Sequence, residues 1–289
     1  MDILGIVEIW QQLSLDAPTV AFVWCFCFAY EAGAKLPLFM PFLLALGVWA
    51  VYVADRLMDG MGGANNGVLR TRHFFYARHR AAFASVLGIA VSVCALTVFF
   101  RMRRDVFWAY CLLGTVVCVY FVLVHAKGGV AQMWLPKELA VGCLFATGTA
   151  LPSWVRSGDR TFGFSAAIVL FGLVCWMDCV AIESWETEAS AADAEAGELR
   201  TTHDSTVWLG RHFYVMGLAI VILAILCRVW IGAAVRHVAT ACTVSCILLL
   251  TLHSMRNRLG IRWLRAVVDL SLLTPLMFVP KMIHVFLPR

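Results

Sequence analysis

The chain has 289 residues, 62% of them hydrophobic and only 14% charged, with a net charge of +5 and a mean hydropathy of +0.83. That balance excludes a water-soluble globular domain, whose surface needs far more polar side chain, and the long uncharged runs predict an all-α polytopic membrane protein. The modest positive charge suits a membrane surface, and nothing in the sequence resembles a nucleic-acid-binding face. The eleven cysteines contain no CxxC pair and no Cys/His spacing of a zinc site. Most, such as Cys25, Cys27, Cys111, Cys118, Cys143 and Cys175, sit inside apolar runs as small hydrophobes.

In chain order, residues 1–11 read as an amphipathic helix lying at the interface rather than as a signal peptide. Apolar runs then predict nine spans, near 18–34, 38–59, 80–100, 105–125, 138–155, 162–186, 211–233, 236–254 and 262–286. Together they form a single transmembrane domain over 1–289. Two connections are long and polar, near 60–79 and 187–210, as functional loops usually are. Glu31, near the end of the first span, is expected to cap that helix end. Nine spans place the amino terminus and the even-numbered connections on one face. By that map roughly 14 of the 18 acids, but only about 13 of the 23 Lys/Arg, fall there. The heaviest basic loop on this face points it toward the cytoplasm.

The second span ends in "WAVYVADRLMDGMGG". Asp55 and Asp59 are four residues apart, so their carboxylates share a helix face one turn apart. They sit at a helix C-terminus, where the macrodipole disfavours negative charge, and so require a cation. A neighbouring Lys or Arg is one solution and a divalent metal the other. The sixth span ends in "CWMDCVAIESWETE", with Asp178 and Glu186 two turns apart on one face. Both clusters end even-numbered spans and emerge on the same side. Hard oxygen ligands with open positions suit Mg²⁺, which completes its octahedron with water and substrate phosphate. Asp55, Asp59, Asp178 and Glu186 are therefore the candidate metal and catalytic residues.

The loop "RTRHFFYARHR" supplies Arg70, Arg72, Arg78 and Arg80, which, with Arg56, are phosphate-grade donors or a headgroup anchor. Lys127 and Lys137 flank the connection before span five, where diphosphate contact and interface snorkelling are both open. Carboxylates, metal and arginines together are the chemistry of a diphosphate leaving group, and its place in a membrane implies a lipid tail. Trp49, Tyr52, Phe121, Phe171 and Trp176 could line a cavity and stabilise a cation, or could simply pack. Asp269 in the last span is expected to pair with Arg265. "HDS" at His203 to Ser205 lacks the geometry of a catalytic triad.

At this point the residues resemble the UbiA superfamily of intramembrane prenyltransferases. "ADRLMD" (Ala54 to Asp59) is similar to the second half of that family's NDxxDxxxD signature. Asp178, Ile182 and Glu186 fall on the spacing of its second acidic motif. "VWLG" (Val207 to Gly210) and "LPKELAVG" (Leu135 to Gly142) resemble its loop end and the start of its fifth span. The resemblance implies a nine-helix bundle around a central lipid-open cavity and an isoprenyl diphosphate substrate, farnesyl or geranylgeranyl in length. It further implies Mg²⁺ bridged to both acidic motifs, and loop cations on the diphosphate, for which Arg200 or His203 would serve near the second loop's end. The chain departs from the pattern at Val51 and Tyr52, which replace an Asn-Asp pair, and at Ile182, which replaces a middle acid. The trimmed site is expected to favour intramolecular cyclisation, as in a UbiA-type terpene cyclase. The alternative is prenyl transfer to a lipophilic or aromatic acceptor, and a more distant one is a secondary transporter, in which intramembrane acids carry ions.

Overall fold

The computed structural model of the protein describes residues 3–63, 75–76, 78–125, 136–157, 162–193 and 203–282, and among them every regular element is helical. The interfacial helix expected at the amino terminus is α1, Ile3–Gln12. It is followed by α2 (Asp16–Glu31), α3 (Phe39–Gly63), α4 (Arg80–Arg101), α5 (Arg104–His125), α6 (Lys137–Arg156) and α7 (Phe162–Asp193). A short α8 (Asp204–Arg211) precedes α9 (Phe213–Trp230), α10 (Arg236–Met255) and α11 (Ile261–Val268).

Six helical segments are long and apolar enough to cross a membrane: Phe39–Met58, Arg80–Arg101, Arg104–Leu123, Phe162–Ala189, Phe213–Trp230 and Gly232–Met255. The other expected spans differ in kind. α2 has only 16 residues, and α6 carries Gly142, Thr147, Gly148, Thr149, Pro152 and Ser153 where a lipid-facing helix would be greasy. The continuous ninth helix expected over 262–286 is instead broken. After α11 the chain runs through 3₁₀ turns at Asp269–Leu272 and Thr274–Phe278 before a last helical turn at Val279–Met282. Pro275, at the start of the second 3₁₀ turn, cannot donate to a helical ladder. The backbone groups released by the break are met from elsewhere in the bundle: Trp24 Nε1 donates to Leu272 O at 2.6 Å and Ser245 Oγ to Ser271 O at 2.8 Å. Irregular backbone at membrane depth survives only where protein satisfies it in this way.

α7 is the hub. It packs most extensively along α6, then against α10 and α9, and α8 and α11 also rest on it. α2 lies between α3 and α6 and also touches α10, while α4 packs on α3 and α5 on α6. The outer helices α4 and α5 present Phe99, Phe100, Trp108 and Leu112 outward, an apolar surface suited to lipid. Inside, Trp24 stacks on Phe171 with ring centroids 3.9 Å apart, and Phe28 meets Phe171 and Phe164 edge-on. The α6–α7 seam is set by Gly142, where a Cβ would lie 2.9 Å from the Trp176 backbone nitrogen and 3.0 Å from Gly172 O. All eleven cysteines are free thiols, as expected of small hydrophobes.

Glu31 does cap a helix, though not its own. Its Oε2 accepts from the backbone N–H groups of His237 at 3.0 Å and Val238 at 3.3 Å, and it lies 3.1 Å from His237 Nδ1. The carboxylate thus satisfies the orphan donors at the N-terminus of α10, where the helix dipole favours a negative group. It binds the two helices together at the end of the bundle remote from the acidic clusters.

Candidate functional site

The two acidic helices are the longest among the described residues: α3 has 25 residues and α7 has 32. At 1.5 Å per residue these are roughly 38 and 48 Å, more than the ~30 Å hydrocarbon core needs. Asp55, Asp178 and Glu186 lie within the apolar segments of these helices, Phe39–Met58 and Phe162–Ala189, each nearer the C-terminal end.

Side-chain contacts place the ends of both helices on one side of the bundle. From α3, Arg56 Nη1 donates to Gln11 O at 2.8 Å, and Nη2 lies 3.9 Å from Asp16 Oδ2. Trp49 Nε1 donates to Leu13 O at 2.9 Å. From α7, Glu186 meets the guanidinium of Arg265 on α11, and Glu188 accepts from Arg256 Nε at 3.1 Å. Gln11 closes the ring by donating to Arg265 O at 2.5 Å. The turn of α1 into α2 thus sits between the ends of α3 and α11, and both acidic helices converge on it.

Within this end the side chains are enclosed. Arg56 is 6% exposed, Asp16 7% and Asp178 5%. Asp16, Asp178 and Asp269 all lie within Coulombic range of Tyr52, while Lys137, Glu138, Asp178 and Asp269 act on neighbouring Cys179. The Oδ1 atom of Asp178 is buried with no hydrogen-bond partner among the described residues. An enclosed carboxylate oxygen with no donor is costly unless a proton or a cation resolves it.

The remaining predicted residues are distributed as follows. Asp55 is half-buried on α3, while Arg78 and Arg80 are exposed at the foot of α4 and Lys137 is exposed at the start of α6. The side chain of Asp59 and residues Arg70, Arg72, Lys127 and Arg200 lie outside what the structure describes. His203 caps α8: its Nδ1 accepts from Ser205 N at 3.1 Å and pairs with Ser205 Oγ at 2.7 Å. α8 is then docked by Thr206 Oγ1, which donates to Glu138 Oε2 at 2.8 Å. It also docks through Gly210, where a Cβ would lie 3.0 Å from Ser184 Cβ. Of the aromatic candidates, Tyr52 belongs to the cluster. Phe171 is wholly buried in the stacked core, and Phe121 lies on α5 beside Tyr120. Trp176 lines a groove of about 280 Å³ with Trp208, His212 and Met216 against α8 and α9.

Several residues of this cluster carry no sequence motif. Asp16 begins α2 in "SLDAP", an acid at the first turn of an otherwise apolar helix, and that position is the signal that could have marked it. Ser14, wholly buried, has a φ of 56°, a left-handed conformation rare outside glycine and asparagine. Its Oγ pairs with Tyr76 Oη at 2.7 Å, and the Arg56 guanidinium lies 5.7 Å from the centre of the Tyr76 ring. Among the described residues no group of three or more His, Cys, Asp or Glu could hold a metal ion. A magnesium site here would thus use one or two carboxylates and leave its other positions to water and phosphate, as Mg²⁺ commonly does. The chain matches no family model, no characterised protein and no solved structure.

Proposed function

We propose that the protein is an intramembrane enzyme of the UbiA kind that ionises an isoprenyl diphosphate with Mg²⁺, leaning to intramolecular cyclisation of the resulting cation. The observation that carries this reading is the enclosed Asp178 Oδ1, without a hydrogen-bond partner among the described residues, in a polar cluster where α2, α3, α7 and α11 meet. A greasy bundle with charge gathered at one end suits a substrate with a charged head and an apolar tail. Mg²⁺, when bound, would offset charge on the departing diphosphate.

The chain's own residues have distinct tasks in this reading. Asp178 and Asp55 supply hard oxygen ligands. Lys137, Arg78 and Arg80, with the basic loop after α3, neutralise diphosphate oxygens. The allylic C–O bond breaks, its electron pair leaves with pyrophosphate, and the carbon is left cationic. Tyr52 offers an aromatic face beside the acids for that cation. In cyclisation a chain double bond supplies the new C–C bond, and loss of a proton or capture of water discharges the product. In the alternative, transfer, an acceptor nucleophile forms the bond instead.

The test is to incubate purified protein with Mg²⁺ and prenyl diphosphates of increasing length, without acceptor, while following pyrophosphate and the organic extract. Cyclic hydrocarbons or alcohols are expected. Turnover only after a lipophilic acceptor is added would make the protein a prenyltransferase. No pyrophosphate from any chain length, with or without acceptors, would overturn the enzyme reading in favour of transport.

A further inference from the structure

At the end of the bundle remote from the acidic helix ends, three connections pack together. Leu36, after α2, and Val106, at the start of α5, are buried in one apolar cluster, against which Met102 and Val155 also pack. α5 and α6 run antiparallel in a register set by Gly148, where a Cβ would lie 3.3 Å from Leu113 Cδ2. The same rise, about 12 Å at 1.5 Å per residue, separates Gly148 from Arg156 and Leu113 from Asp105. Arg156 therefore ends α6 level with the Arg103–Asp105 turn. It is tied to the third connection by Nη1, which donates to Lys35 O at 3.3 Å.

This junction gathers Lys35, Arg101, Arg103, Arg104 and Arg156 around the single acid Asp105. Among the described residues only Arg103 of the five has an ion pair, forked onto Asp105 at 2.9 and 3.2 Å. Glu31, the acid next nearest to Lys35 in sequence, is committed to the N-terminus of α10. Arg156 Nε is buried without a hydrogen-bond partner among the described residues. Burial and the like charge of Arg103 lower the Arg156 pKa from its ordinary value, against an opposite pull from Asp105. Helix dipoles account for part of this set, since Arg101 and Arg156 lie in the last turns of α4 and α6. They do not account for Arg104, which opens α5, where the dipole repels a cation. An excess of cations so placed calls for an anion.

The membrane fixes what kind. The apolar segments Arg80–Arg101 and Arg104–Leu123 are joined by Met102 and Arg103 alone, so the arginines stand where the hydrocarbon layer ends. Phe99, Phe100 and Trp108, on either side of them, are exposed. A free anion would answer the charge and leave that apolar surface bare, whereas a lipid phosphate with its chains answers both. We propose that this junction holds the phosphate of an anionic glycerophospholipid between Arg156 and the Arg103–Arg104 pair, with Lys35 beside it and the acyl chains along the outer face of α4 and α5. Guanidinium forks suit phosphate oxygens, and the site stands apart from the proposed reaction.

The full-length protein in a neutral detergent is titrated with dioleoylphosphatidylglycerol, and bound lipid is counted by native mass spectrometry. One saturable site is expected, with dioleoylphosphatidylcholine bound at least about tenfold more weakly, the worth of one charged hydrogen bond. Arg156→Gln should weaken phosphatidylglycerol binding by a similar factor. Arg228→Gln removes another exposed arginine, one held by Thr240 Oγ1 on α10, and should leave it unchanged. Should Arg156→Gln fail to fold, Arg104→Gln, at an exposed position, carries the test with a loss of about two- to fivefold. Asp105→Asn keeps a helix-capping group and removes the competing acid, so it should tighten binding by about two- to fivefold. Equal affinity for the two lipids, wild-type affinity in Arg156→Gln or Arg104→Gln, an equal loss in Arg228→Gln, or looser binding in Asp105→Asn would each overturn the inference. Displacement of the lipid by inorganic phosphate at equal concentration would make the occupant a soluble anion and overturn the lipid assignment.

Discussion

Replacing Gly142 by alanine tests the seam on which the position of α7, and so of Asp178, depends. An added Cβ would lie 2.9 Å from Trp176 N, 3.0 Å from Gly172 O and 3.2 Å from Trp176 Cα, against an ordinary contact beginning near 3.4 Å. All three atoms are backbone, so no side chain can swing aside, and the helices must part by about half an ångström. Overpacking of this kind costs about 1–3 kcal/mol. It outweighs the ~0.5–1 kcal/mol that alanine gains over glycine in a helix. Gly114→Ala is the control: it is also helical, but on α5, where an added Cβ meets nothing within 4 Å. That variant should be neutral or stabilised by about 0.5–1 kcal/mol. Thermal unfolding in detergent, followed by tryptophan fluorescence, should place the two variants on opposite sides of the wild type. If Gly142→Ala unfolds at or above the wild-type temperature, the close α6–α7 approach is not what fixes α7.

Glu31→Ala leaves the α10 donors of His237 and Val238 without their acceptor. It should cost about 1–2 kcal/mol as a lost cap, read by the same unfolding assay. Arg265→Ala should cost more, about 2–3 kcal/mol, because it strands the buried Glu186 carboxylate while Arg265 itself is 27% exposed and partly screened. Adding Glu186→Gln to that variant should restore much of the loss, and a double-mutant cycle that shows simple additivity would refute the pair. Asp55→Ala and Asp178→Ala should each abolish Mg²⁺-dependent pyrophosphate release; near-normal turnover in both would show the wrong acids have been assigned.

What the sequence made legible was what depends on local pattern. Counting apolar runs put the acidic ends of α3 and α7 on the same side, and the contacts of Arg56, Glu186 and Glu188 place them so. The amphipathic α1 was legible for the same reason. The break after α11 was not: "DLSLLTPLMF" is apolar enough to pass for one helix, and the side chains that stabilise its irregular backbone, Trp24 and Ser245, are distant in sequence or on another helix. Glu31 was assigned to its own helix end because its true partners are about 206 residues away. Asp16 escaped notice because an acid two residues ahead of an apolar run looks like a boundary. Only packing shows that the boundary is buried.

The pattern of compensation among the acids argues for where function lies. Glu31 has His237, Asp105 has Arg103 at 2.9 Å, Glu188 has Arg256, and Glu186 has Arg265. Glu138 has the Thr206 hydroxyl. A chain that answers its acids so consistently does so because stranded charge near an apolar layer is expensive. Asp178 Oδ1 is enclosed without a donor among the described residues, as is Glu31 Oε1, but Asp178 has no cation paired with it among them. Folding alone would favour a serine, an asparagine or a hydrophobe at such a position. A carboxylate kept there makes chemical sense as a group whose partner arrives from outside the chain.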